Sequence, residues 1–159
     1  MLLIMNIIYN LDDVKDLNLF FSDKKNNILM EGSFTKLIHS DEFITTIGLY
    51  LQCPFKVQSK SLFVNKCFLT IKPSENVEII RKVKSIETSI MSYYKTYTQS
   101  NKTITTLLSE KLESGNIKYY SKHNYPNKKN NIVLKISGIW ESEKECGITF
   151  KFIEMKEII

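Results

Sequence analysis

The segment from residue 131 to residue 155 constrains the fold of this chain more than any other stretch. Apolar residues alternate with other residues on both sides of a charged turn: Ile132, Leu134 and Ile136 before it, and Ile148, Phe150 and Phe152 after it. A two-residue period is typical of β-strands, so this segment predicts a β-hairpin with Trp140 at the mouth of its turn. Gly138 interrupts the first strand, where we expect a bulge or a close approach of another backbone, and Gly147 is expected to close the turn.

Other stretches with strand character precede and follow two helical patterns. They are Leu2 to Tyr9, Ile28 to His39, Phe43 to Gln52, Ser61 to Ile71 and Asn116 to Tyr120. Gly32 and Gly48 lie inside two of these stretches, and they predict a strongly curved sheet because a residue without Cβ lets a strand bend. Within Ser61 to Ile71, alternation places Lys66 and Phe68 on one face, which is therefore both basic and aromatic.

Two helices are predicted in the middle of the chain. Ile79, Val83, Ile86 and Ile90 recur every three or four residues, which predicts a long amphipathic helix over about residues 75–97 with Ser74 as its N-cap. A shorter apolar stripe predicts a second helix over about residues 103–113, ended by Gly115. We expect the stripe of the long helix to pack on the sheet.

Length and composition predict one β-rich α+β domain over residues 1–159. Its expected parts are an N-terminal strand and irregular lead-in (1–27), strands (28–72), helices (74–114) and closing strands (116–155). The net charge of +5 permits a polyanionic partner. The chain is also rich in Ile, Lys and Asn, has no Ala and has a single Arg, so an A/T-biased genome explains its basic character equally well.

The sequence provides no motif for an enzyme or a cofactor. Its three cysteines form no C-x-x-C pair, its two histidines lie far apart, and no glycine-rich phosphate loop occurs. We therefore expect no metal, no cofactor and no catalytic residue. Glu141, Glu143 and Glu145 are predicted to be solvated in the hairpin turn. The odd cysteine count fits a reducing compartment, and no stretch has the length and apolarity of a membrane span.

A basic and aromatic segment is the best candidate for a functional surface. Lysine attracts a phosphate backbone, and exposed aromatic rings stack on unpaired bases without reading sequence. The candidate nucleic-acid-binding residues are Lys118, Tyr119, Tyr120, Lys122, Lys128 and Lys129, together with Lys66, Phe68 and Trp140. The alternative is that these are ordinary strand and loop residues of a lysine-rich protein.

Two segments resemble parts of small, mostly uncharacterised proteins of large nucleocytoplasmic DNA viruses. They are residues 33–51 and residues 131–152, and the blocks ISGIWE and GITFKF resemble these proteins most. The resemblance implies a viral origin and no particular reaction. The order of three strands, a helix and a closing strand pair is also similar to that of the OB-fold, the small barrel of many single-strand-binding proteins. We therefore expect an OB-like curved antiparallel sheet or barrel, with both helices inserted before the last strands.

These observations predict a non-enzymatic protein that binds single-stranded nucleic acid, with DNA favoured over RNA. The alternative is a virion structural or assembly protein that binds protein partners or itself as a homo-oligomer. Either protein would act away from membranes, in the host cytoplasm or virus factory, and the second would belong to the virion. The sequence leaves open whether the partner is DNA, RNA or protein.

Overall fold

The computed structural model describes residues 7–16, 18–28, 31–121 and 131–155. They form twelve strands and two α-helices. In chain order these are β1 (Ile8–Asn10), β2 (Leu19–Phe21), β3 (Lys25–Asn26), β4 (Ser33–Ser40), β5 (Thr45–Ile47), β6 (Leu49–Cys53), β7 (Val57–Phe63), β8 (Lys66–Ile71), α1 (Val77–Thr98), β9 (Thr103–Thr105), α2 (Leu107–Ser114), β10 (Asn116–Tyr120), β11 (Ile132–Glu141) and β12 (Glu145–Glu154). Short 3₁₀ turns occupy Leu11–Asp16 and Pro73–Glu75.

The predicted C-terminal hairpin forms the centre of the sheet. β11 and β12 pair antiparallel along their whole length, and the ladder shifts by one residue between Ile136 and Gly138, which confirms the predicted bulge. A Cβ on Gly138 would lie 2.1 Å from the carbonyl oxygen of Thr35, so β4 approaches β11 more closely there than a larger residue would allow. The turn itself spans residues 142–144, and Gly147 lies inside β12, opposite Trp140. The prediction that Gly147 closes the turn is therefore wrong.

The other strands extend the sheet in both directions from this hairpin. The main order is β1-β6-β11-β12-β10-β8-β7, while β4 pairs with the second half of β11 and is joined by β2, β3 and β5. Gly48, at φ +86°, separates β5 from β6, so one bent segment pairs first with β4 and then with β11. Gly48 thus produces a predicted bend, whereas Gly32 precedes its strand.

The sheet is open and mixed, which corrects part of the predicted fold. The described strands β1 and β7 end the main path without pairing to each other. Three pairs, β1/β6, β10/β12 and β9/β12, are parallel, so the sheet is not purely antiparallel. The predicted single strand over residues 61–71 is a hairpin of β7 and β8. Its turn residues Val64 and Asn65 both have positive φ, which apolar alternation does not reveal.

Helix α1 packs its apolar stripe on the sheet, as predicted. Val83 and Ile90 are buried, as are Met91 and Tyr94 further along the helix, and they join the core formed by the inward residues of the strands. Glu87 of α1 accepts hydrogen bonds from the backbone N–H groups of Leu108 and Ser109, and so satisfies the free donors at the start of α2. α1 begins two residues later than predicted, and Asn76 rather than the predicted Ser74 occupies its N-cap position, because Ser74 lies in the preceding 3₁₀ turn. α2 begins four residues later than predicted because residues 103–105 form β9.

Within the described ranges, no helix combines the length and apolarity that a membrane crossing requires.

Candidate functional site

One face of the sheet, here called the outer face, lies opposite the core and α1. Side chains alternate between the faces of a strand, so the register identifies which residues share this face. Tyr50 of β6 lies opposite Lys135 of β11, and Lys135 lies opposite Lys151 of β12. The Lys135 ammonium lies 5.3 Å from the centroid of the Tyr50 ring, within the range of a cation–π contact. A row of basic and aromatic side chains thus crosses three adjacent strands.

The same face continues through β10 and β8. Lys118 pairs with Phe68, and Tyr120 pairs with Ile153, the next residue on the Lys151 face of β12. The ring of Tyr120 is half exposed and has two ammonium groups near it. Lys118 Nζ lies 5.1 Å and Lys151 Nζ 5.7 Å from its centroid. Tyr120 therefore offers a ring face close to two positive charges.

Trp140 lies at the far end of the outer face. It pairs with Gly147 on one side and with Phe34 of β4 on the other. A Cβ on Gly147 would lie 3.0 Å from two carbons of the indole, so the absence of a side chain there makes room for the Trp140 ring. Lys36 follows Phe34 on this face of β4, and Lys25 of β3 pairs with Phe34. Basic and aromatic residues therefore occur on the outer face both near the turn of the β11–β12 hairpin and further along its strands.

The charge of the outer face is strongly one-sided. In the strands as described, its charged residues are six lysines and one carboxylate, Glu145. The lysines are Lys25, Lys36, Lys66, Lys118, Lys135 and Lys151. Across the described ranges none of these lysines forms an ion pair. Their charges repel one another and remain available to an anion.

The core side of the sheet contains lysines that are neutralised. Lys24 and Lys102 donate to Oε2 of Glu141 at 2.7 and 2.9 Å, and Tyr94 donates to its Oε1 at 2.7 Å. The Glu141 side chain is only 2% exposed, so the prediction that it is solvated is wrong. Burial acts to raise its pKa, but the hydrogen bonds from Lys24, Lys102 and Tyr94 outweigh burial and lower it to about 2.

A second buried ion pair lies near the sheet edge. Lys60 Nζ lies 2.6 Å from Oε1 of Glu154, and both side chains are largely buried. The Lys60 ammonium also lies 5.8 Å from the centroid of the Tyr119 ring. Burial, followed by the nearby Glu154 carboxylate and Cys67, raises the pKa of Tyr119 to about 12. Tyr119 is therefore a buried core residue, with no face available to a ligand.

The structure brings together five of the nine candidate residues. Lys66, Phe68, Lys118, Tyr120 and Trp140 share the outer face. Tyr119 does not belong with them, because adjacent strand residues point to opposite faces. Lys122, Lys128 and Lys129 lie outside the described residues.

Sequence reasoning missed Tyr50, Lys135 and Lys151, although the last two lie at alternating positions of the predicted hairpin. Because they alternate with the apolar residues of the two strands, the sequence could have placed both lysines on the face opposite the core. Glu143 and Glu145 are exposed, as predicted for the turn.

Other chemistry is scarce in the part of the chain that the structure describes. No cluster of three His, Cys, Asp or Glu side chains there could hold a metal ion. Cys53 and Cys146 are buried, Cys67 is half-buried, and all three are free thiols. Burial raises the pKa of the Cys53 thiol to about 12, which makes it a poor nucleophile.

No family model, curated protein or solved structure matches this chain.

Proposed function

We propose that this protein binds single-stranded nucleic acid, with DNA as the favoured partner, and that it does so without catalysis. The observation that supports the proposal most is the outer face, where six lysines with no ion-pair partner in the described ranges lie among the rings of Tyr50, Phe68, Tyr120 and Trp140. Unpaired ammonium groups attract phosphates, and their release of counterions favours binding. The rings among them would stack on unpaired bases.

The chemistry of this face favours binding that is independent of sequence. All its cations are lysines, which contact phosphate as point charges, whereas reading a guanine edge normally needs the bidentate fork of arginine. The single arginine, Arg81, lies on the exposed side of α1 and pairs with Glu78 at 2.8 Å. Base stacking also tolerates any sequence, because every base has a π-face.

We extend the proposal to the OB-fold analogy and to the setting in which the protein acts. The protein would share with OB-fold proteins a curved sheet that has basic and aromatic residues on one face. It would not share their closed barrel. The resemblance of the ISGIWE and GITFKF blocks to viral proteins supports a role in the host cytoplasm or virus factory during DNA replication.

Fluorescence anisotropy of labelled oligothymidine over a salt series tests this proposal. The variant Lys118→Gln/Lys151→Gln removes both ammonium groups beside Tyr120, and should flatten the log–log salt slope by about 1.4, or 0.7 for each phosphate contact. The matched control is Lys84→Gln/Lys111→Gln on the helices, which changes net charge equally. It should bind like the wild type, whereas an equal loss in both variants would mean that net charge alone drives binding.

A stacking variant separates aromatic contacts from charge. Tyr120→Ala should weaken binding by about 1–3 kcal/mol at both low and high salt. Tyr97→Ala, which removes an exposed ring on α1, is the control and should have no effect. If the wild type fails to bind single strands at low salt, the proposed function is wrong.

A second candidate function, assembly through protein contacts, is favoured by a separate surface. The rings of Phe21, Tyr93 and Tyr97 cluster beside α1 with centroids 5.5 to 6.5 Å apart. Tyr93 also lines a groove of about 880 Å³ between α1 and the 3₁₀ turn Leu11–Asp16. Sedimentation velocity over a concentration series tests this candidate, with Tyr93→Ser/Tyr97→Ser expected to abolish any self-association.

A further inference from the structure

The turn that joins β7 to β8 has an unusually apolar tip. Leu62, Phe63 and Val64 are 60%, 70% and 72% exposed, and every residue from 61 through 66 is exposed. Hairpin turns normally contain polar residues and glycine, because these residues accept positive φ and contact water. An apolar tip loses the favourable burial that such side chains usually gain, so a partner that covers it would stabilise it.

The backbone of this turn is strained as well as exposed. Val64 and Asn65 have φ of +46° and +59°. Asn tolerates this left-handed region, but a β-branched residue such as Val is a clear outlier there. Asn followed by Gly would suit such a turn better, so Val64 is not explained by the needs of the turn.

The tip is continuous with the outer face. Phe63 pairs with Lys66, and the next outward residue of β8, Phe68, lies beside Lys118. Leu62 pairs with Cys67 and therefore lies on the opposite side of the hairpin. The tip thus has one apolar side chain on each face and one in the turn between them. Its nearest outward cations, Lys66 and Lys118, complement a phosphate backbone that reaches the tip.

We propose that the β7–β8 tip is a wedge that contacts bases where a single strand meets a duplex. A strand bound to the lysines of the outer face would lead to this tip, where Phe63, Val64 and Leu62 would pack against the last base pair and favour its opening. In other nucleic-acid-binding proteins, apolar side chains inserted between base steps partly unstack the bases. This inference rests on the proposed function and adds to it a preference for junctions.

The test compares three DNA probes: an oligothymidine strand, a blunt duplex, and the same duplex ending in an oligothymidine arm. The wild type should bind the tailed duplex about tenfold more tightly than the free strand, consistent with one added stacking contact. The fluorescence of a 2-aminopurine in the terminal base pair should increase on binding, because that base unstacks. The variant Phe63→Ser/Val64→Asn should lose both effects and still bind the free strand well with its lysines intact.

The variant is designed to fold, since Asn is favoured over Val at the φ of residue 64. Phe43→Ser is the matched control, because Phe43 is an 89% exposed ring in the loop between β4 and β5. It should keep the junction preference and the 2-aminopurine signal.

The outcomes separate this inference from the proposed function. If the free strand binds but the tip variant keeps the junction preference, the wedge is refuted and the proposed function stands. If the tip variant instead loses self-association in sedimentation, or binding to anionic vesicles, the tip is a protein or membrane contact and the wedge is refuted. If no probe binds, both are refuted.

Discussion

Lysines on the two faces of this sheet differ in their partners. On the core side, Lys24 and Lys102 share Glu141, and Lys60 pairs with Glu154. On the outer face, six lysines have no carboxylate partner within the described ranges, and two of them, Lys135 and Lys151, lie directly opposite each other. A buried charge must be paired because its desolvation is costly, whereas a solvated charge does not need a partner. The core-side lysines therefore serve as partners of buried carboxylates, whereas we propose that the outer lysines bind a ligand.

The largest expected effect on stability comes from removing the charge of Glu141, the buried partner of two core-side lysines. Glu141→Gln leaves the ammonium groups of Lys24 and Lys102 without their carboxylate, and should lower the free energy of unfolding by about 3 kcal/mol. Urea denaturation measures this loss. Glu143→Gln, an exposed change in the same turn, is the control and should stay within about 0.5 kcal/mol of the wild type. Equal effects of the two variants would show that Glu141 is not a buried partner.

A smaller effect is expected from acid. The pKa of Glu141 is about 2 in the folded protein, against an ordinary value of 4.5, so the unfolded chain takes up the proton first as pH falls. Its contribution is therefore complete above about pH 4.5 and is lost as pH falls toward 2. Discounted for the partly exposed Lys24, the loss should be about 1–2 kcal/mol. Unfolding measured at several pH values should show this loss in the wild type and not in Glu141→Gln.

The smallest expected effect is a gain in stability from an outer-face substitution. Lys135 and Lys151 are opposite each other across β11 and β12, and directly opposed like charges are destabilising. Lys151→Gln should therefore raise the free energy of unfolding by about 0.2–1 kcal/mol at low salt, and less at high salt. Thermal unfolding at two salt concentrations measures the gain in stability and its dependence on salt. A loss of stability would place Lys151 among the structural lysines.

The sequence predicted the fold best where the pattern was local. The hairpin of β11 and β12 and the helix α1 were found because period-two and period-3.6 patterns need only neighbouring residues. The turn at Val64 and Asn65 was missed because apolar alternation runs through it and neither residue is glycine. The parallel pairing of β10 with β12 depends on contacts between distant segments, which strand patterns do not contain.

The site was predicted in part for the same reason. Alternation within β8 grouped Lys66 with Phe68 correctly, but no local pattern shows that Lys118 lies beside Phe68 or that Lys151 lies beside Tyr120. The burial of Glu141 was not predictable either. Its partners Lys24 and Lys102 are far away in sequence, and an acidic residue in a charged turn is normally solvated.

Lysine footprinting tests the central contrast most directly. The protein would be acetylated with a trace of reagent, with and without saturating oligothymidine, and the modified lysines quantified by mass spectrometry. We predict that Lys118, Lys135 and Lys151 are protected by the oligonucleotide, while the helix lysines Lys84 and Lys111 react equally in both samples. Protection of the helix lysines, or none on the outer face in a sample shown to bind DNA, would contradict the assignment of this face to nucleic-acid binding.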